Sequence, residues 1–66
     1  MYNVRIYDTL AKKTLSEFYV KEHLVPRVGD FVTVKNEKYE VVRRNLQIDN
    51  EIIILEVIHT NDLISG

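Results

Sequence analysis

Apolar and polar residues alternate along much of this chain with the period of two that a half-buried strand imposes. From Tyr2 to Tyr7, Tyr2, Val4 and Ile6 point one way while Asn3, Arg5 and Tyr7 point the other. Asp8-Thr9 reads as the start of a turn. The segment Thr9 to Lys21 fits two patterns. Asp8 can cap a helix whose apolar side carries Leu10, Ala11, Leu15 and Phe18. Against that, Thr14, Phe18, Tyr19 and Val20 favour a strand returning beside the first, and this hairpin is the preferred reading. Its loop holds Leu10 to Lys13, with Lys12 and Lys13 exposed.

The middle of the chain, Leu24 to Val42, carries the only proline and one of the two glycines. Pro26 fixes its own φ and pushes Val25 towards an extended conformation. Gly29 tolerates a positive φ, and Asp30 can accept hydrogen bonds from nearby backbone amides. Pro26, Arg27, Gly29 and Asp30 therefore predict a structural corner that feeds a strand over Phe31 to Lys35. Asn36-Glu37-Lys38 predicts a tight turn, and a fourth strand runs from Tyr39 towards Ile48. Alternation slips between Val41 and Val42. A bulge there moves the inward set from Tyr39 and Val41 to Val42, Leu46 and Ile48. Asp49-Asn50 is the next turn. Glu51 to Thr60 is the last and most apolar strand, and Asn61 to Gly66 is a short tail, frayed beyond Leu63.

Five short strands with tight turns predict an all-β, antiparallel meander over residues 1–66, a single domain closed or half-closed into a small barrel of the SH3-like or OB-like kind. A chain of 66 residues has little core, and domains of this size often rely on disulfides, a metal or oligomerisation. Cysteine is absent, and His23 and His59 are far apart in sequence. No disulfide, metal or other cofactor is therefore expected, and association with further copies is. The formal charge of −1 supplies no global attraction to nucleic acid or to anionic membranes. No signal-like segment is visible at the amino terminus, and the longest apolar run, Ile52 to Leu55, is far shorter than a membrane span. A soluble cytoplasmic protein is the expectation.

The run Pro26-Arg27-Val28-Gly29-Asp30, followed by Tyr39-Glu40-Val41, resembles a loose group of short bacterial and prophage-encoded proteins. Their pattern is an amino-terminal hairpin, a proline-arginine-x-glycine-aspartate corner, a strand, and a tyrosine-x-valine strand. The resemblance spans Val4 to about Ile58 and departs from the pattern at Asn36–Lys38, where many of that group carry glycine. It implies a small β-barrel of phage or prophage type, mostly without an assigned function, and supplies no catalytic residue.

The residues themselves argue the same way. His23 and His59 lie in no hydrolase, transferase or metal motif, and Ser16 and Ser65 have no base at a telling spacing. Gly29 and Gly66 alone cannot build a phosphate cradle. No catalysis and no small-molecule substrate are expected. A nucleic-acid surface is the alternative, with Tyr2, Tyr7, Tyr19 and Tyr39 as stacking platforms and Lys12, Lys13, Arg43 and Arg44 as phosphate contacts. Glu40, Glu51 and Glu56 oppose it. In the last strand both faces are apolar: Ile53, Leu55, Val57 and His59 on one, Ile52, Ile54, Glu56 and Ile58 on the other. A small barrel buries one of these faces. The expectation is a phage-type protein-interaction module that contacts its own copies, or a host or phage protein, through Ile52, Ile54 and Ile58.

Overall fold

A strand that is apolar on both faces is most stable where both of its backbone edges are paired and neither face is fully wet. That is the position the last strand takes. In the computed structural model, which describes residues 1–61, the elements are β1 (Tyr2–Asp8), β2 (Lys13–Val20), a single 3-10 turn (Glu22–Leu24), β3 (Phe31–Val34), β4 (Glu37–Gln47) and β5 (Ile52–His59). The strands form one curled sheet in the order β2-β1-β5-β4-β3. The fold is all-β, and β5 lies at its centre.

The sheet is mixed, which corrects the expected antiparallel meander. The pairs β1–β2, β3–β4 and β4–β5 are antiparallel, but β1 and β5 run parallel from Asn3↔Ile52 to Asp8↔Val57. In a meander β2 would pair with β3; here they are the two edges. The segment 21–30 carries the chain from the end of β2 to the far edge, and Val25, within it, is buried in the core. The physical reason lies in the patterns. β5 has three fully buried residues, and β1 has Val4 and Ile6 within its core face, so each gains most from two neighbours. β2 and β3 contain no buried residue and tolerate the edges.

Register places the core on one face. Val4 and Ile6 lie beside Ile53 and Leu55, which lie beside Leu46 and Arg44; Val57 lies beside Val41. Val4, Val41, Ile53, Leu55 and Val57 are completely buried, joined by Ile6, Val25 and Tyr39. Phe18, Leu15, Val20, Tyr2, Val32 and Val34 pack around them. This decides between the two faces of β5.

Segment 9–21 is a hairpin. Asp8, buried, accepts the amide protons of Leu10 and Ala11 (3.1 and 3.0 Å), turning the chain where a helix would otherwise begin. Lys12 adopts φ 56° and β2 follows, with a register shift opposite Ile6/Tyr7 that leaves Leu15 as the extra residue. The turn expected at Asn36–Lys38 is displaced by one residue. Lys35 and Asn36 both have positive φ (51° and 66°), as a two-residue primed turn requires, and Glu37 already belongs to β4. The slip in β4 is a bulge at Val42, between Val41 and Arg43. Beyond it Arg44 and Leu46 take the core-face positions, but none of the three residues expected to turn inward is buried: Val42 is exposed at the bulge, Leu46 is exposed near the end of the strand, and Ile48 lies in the exposed turn. The end of the tail, 62–66, lies outside the described residues.

The corner is a closed four-residue turn. The Asp30 amide donates to the Arg27 carbonyl (2.9 Å), and the Asp30 carboxylate accepts the Arg27 amide proton (2.8 Å). Gly29, at φ 97°, holds the third position, which a type II turn reserves for a positive φ. The turn is tied to β4: Gly29 donates to the Val41 carbonyl and Val41 donates to that of Asp30 (both 2.9 Å). No atom lies within 4 Å of a methyl built on Gly29, so the constraint there is backbone conformation and not space. Gly29→Val is therefore expected to destabilise by about 1–3 kcal/mol in a denaturant titration. A variant melting with the wild type would show that the positive φ is not required. Leu55→Ala, at the centre of the buried row, is expected to cost about 2–5 kcal/mol in the same measurement.

Candidate functional site

The face of the sheet opposite the core is the candidate surface. Because residues paired across strands share a face, the register assigns it row by row. Tyr19, Asn3, Ile52 and Gln47 form one row, and Glu17, Arg5, Ile54 and Asn45 the next. Thr14, Tyr7, Glu56 and Arg43 follow, then Ile58, Glu40 and Phe31. Ile52, Ile54 and Ile58, the three residues expected to form an interface, lie on this face of the central strand, and each is half-buried. Their flanking side chains provide the cover. The described elements make their main contacts with their sheet neighbours, so no second layer is seen over this face.

Polar residues brace the isoleucines. The Asn3 side-chain amide donates to Glu17 Oε2 (2.9 Å), Arg5 Nε donates to Asn3 Oδ1 (2.9 Å), and Arg5 lies 3.6 Å from the same Glu17 oxygen. On the other side of β5, Arg43 is 3.9 Å from Glu56. Farther along, the Lys38 ammonium sits 4.6 Å above the Phe31 ring. The cluster of Asn3, Arg5 and Glu17 is absent from the sequence reading. Its only trace in the sequence is that Asn3 and Arg5 share one side of β1; the partner strand and its register supply the rest.

At the foot of this face a shallow groove of about 340 Å³ runs between Met1, Arg5, Tyr19, Asn50, Glu51 and Ile52. Its charges are mixed, with the amino terminus 3.9 Å from Glu51 and Asp49 also in its wall. It brings Ile52 together with Tyr19, two residues the sequence placed in different roles.

The four cations proposed as phosphate contacts do not converge. Lys12 lies in the β1–β2 turn and Lys13 opposite Asp8, with β1 and β5 between them and β4. The bulge turns Arg43 to the outer face, where Glu56 engages it, and Arg44 to the core face opposite Leu55. The Arg44 Nε is buried with no hydrogen-bond partner among the described residues. The tyrosines divide as well: Tyr2 and Tyr39 belong to the core side, Tyr7 and Tyr19 to the outer one. Glutamates alternate with the cations of the outer face and oppose a phosphate backbone.

Neither histidine stands in an open cleft. His23 is exposed in the 3-10 turn. His59 packs edge-on against Tyr39, its Nε2 faces Glu37 Oε2, and its Nδ1 accepts the Asn61 amide proton (3.1 Å). With both ring nitrogens engaged, the histidine braces the β3–β4 arm against the end of β5. Ser16 sits opposite Ile6, and Ser65 lies outside the described residues. Among the described residues, no three His, Asp or Glu side chains gather as a metal site requires, and no helix is long and apolar enough to cross a membrane. Arg27 is exposed, and its backbone rather than its side chain engages Asp30.

Separated cations imply at most weak, salt-sensitive binding of nucleic acid. Fluorescence anisotropy with single-stranded and duplex oligonucleotides at near-physiological salt is expected to give no submicromolar complex; finding one would overturn this account of the charges.

Comparison of the chain with family models, with curated proteins and with solved structures finds no match.

Proposed function

We propose that this protein is a small interaction module of phage or prophage type, working through protein–protein contacts and associating with its own copies, without catalysis. Its half-open sheet is read as a variant of the small SH3-like and OB-like barrels, in which one parallel strand pair replaces part of the meander. The single observation that carries the reading is the outer face of β5, where Ile52, Ile54 and Ile58 stand in a central strand with no second layer over them among the described elements. Central strands with one solvated face ordinarily show polar residues at those positions. Three isoleucines there retain apolar surface that a partner would remove from water, each Å² contributing about 25 cal/mol. Polar groups border the isoleucines, Arg5 and Glu17 on the β1–β2 side and Arg43 on the β4 side, as at protein interfaces, while Glu56 interrupts the row between Ile54 and Ile58.

The test uses the two faces of one strand. Ile54→Lys alters the outer face and is expected to stay folded by circular dichroism while lowering the mass of the assembly measured by light scattering. Leu55→Lys places a charge in the buried row and is expected to unfold the domain. If both variants unfold, β5 is core throughout and the interface reading fails. A wild-type protein that remains monomeric at high micromolar concentration would remove self-association and leave a foreign partner as the occupant.

A further inference from the structure

The sheet ends in two edges of unlike character. β3 is only four residues long, closed at one end by the Pro26–Asp30 corner and at the other by the Lys35–Asn36 turn. β2 is eight residues long, contains no proline, and has its extra residue, Leu15, near the turn. From Ser16 to Val20 it is a regular strand, paired on one side only. Such an edge is a template for another extended chain.

The hydrogen-bond parity identifies the free groups. In β1 the amides of Asn3 and Thr9 donate towards β5, to Glu51 and Val57, so the odd-numbered residues of β1 face β5 and the even-numbered ones face β2. Val4 and Tyr2 therefore exchange bonds with Phe18 and Val20. Glu17 and Tyr19, opposite Arg5 and Asn3, direct their backbone N–H and C=O groups away from the sheet. Lys21 follows with an extended backbone (φ −71°, ψ 147°), but its carbonyl accepts the Leu24 amide proton (3.0 Å), so the free backbone groups of this edge are those of Glu17 and Tyr19, and Lys21 contributes its charge.

We propose that the β2 edge, Glu17 to Lys21, pairs antiparallel with the same segment of a second copy, about a two-fold axis at Tyr19. The charges select both occupant and register. Centring the pair on Glu17 sets two carboxylates against each other, and centring it on Phe18 sets Lys21 against the bulged Leu15. Centring on Tyr19 brings Glu17 of each copy opposite Lys21 of the other, with the exposed Tyr19 rings side by side on the outer face and Phe18 against Val20 on the core face. Glu17 meets Asn3 and Arg5 through Oε2, and its other oxygen is turned to no partner among the described residues. A segment that carries its own complementary charge, symmetrically spaced about one aromatic residue, is suited to its own copy. The inference rests on the reading of the protein as a self-associating module; it uses the backbone edge of β2 and not Ile54, although Glu17 borders both surfaces.

Proline at position 19 supplies a clean test, because the Tyr19 amide serves no bond within the chain and an edge strand tolerates proline there. The probe is the intact protein, studied by light scattering and circular dichroism across micromolar concentrations. In the Ile54→Lys background, which removes the face contact, a two-chain species is expected. Adding Tyr19→Pro should give a folded single chain, and Lys21→Glu should weaken the pair at least about tenfold, by like-charge repulsion of Glu17. Amide exchange on the wild type should show Glu17 and Tyr19 gaining protection as concentration rises, with Phe18 and Val20 protected throughout. That reading stands even if the proline variant fails to fold. An Ile54→Lys protein that is already a single chain at every concentration overturns the edge pairing and leaves the face reading in place. A mass unchanged by Ile54→Lys but reduced to one chain by Tyr19→Pro supports the edge and removes the face. A wild type that is monomeric throughout, or a two-chain species that survives Tyr19→Pro, overturns the proposal.

Discussion

The structure depends on the pairing of β5 along both of its edges. Ile53, Leu55 and Val57 are fully buried, while the alternate residues are aliphatic apart from Glu56, so this strand gains from burial on both sides. Placing it between β1 and β4 satisfies its backbone and sets its apolar rows against Val4, Ile6 and Val41. Once the last strand is central, the others follow. β1 is its parallel neighbour, β4 its antiparallel one, and the two strands without buried residues are left at the edges.

The Pro26–Asp30 corner and the Val42 bulge form a second constraint. The corner closes on itself through Arg27 and Asp30, then bonds to β4 at Val41, immediately before the extra residue. At that point β4 changes which residues lie on its core-facing side, from the buried Tyr39 and Val41 to the partly buried Arg44 and the exposed Leu46. A bulge of this kind re-aims the strand. Here it also divides Arg43 from Arg44, placing one against Glu56 on the outer face and the other beside Leu55. The same local irregularity that ends the buried row of β4 therefore disperses the positive charge.

The outer face and the edge are two consequences of a small, half-open sheet. Among the described residues no second layer lies over this face, so apolar groups on the far side of the central strand are covered there by their neighbours' side chains. Arg5, Asn3 and Glu17 do this for Ile52 and Ile54, and they end at the β2 edge where the backbone is unpaired. The surface proposed for partners and the edge proposed for a second copy thus share Glu17, which borders both.

Much of the local structure was legible in the residues. The alternation in β1, the Pro26-Arg27-Val28-Gly29-Asp30 turn, the slip at Val42 and the two-faced apolar run of β5 each have a local cause: period-two patterning, a fixed φ, a tolerated positive φ, or an interrupted alternation. Asp8 was ambiguous because a carboxylate that caps a helix also closes a turn, and only the pairing of Lys13 to Val20 with β1 decided it. The choice of which β5 face is core, the parallel pairing of Val4 with Ile53, and the meeting of Asn3, Arg5 and Glu17 were decided by tertiary structure alone. Strand order depends on how much buried surface each possible neighbour adds, and that sum is taken over residues from opposite ends of the chain. A single strand records which of its residues prefer burial, but it does not record the strand against which they are buried.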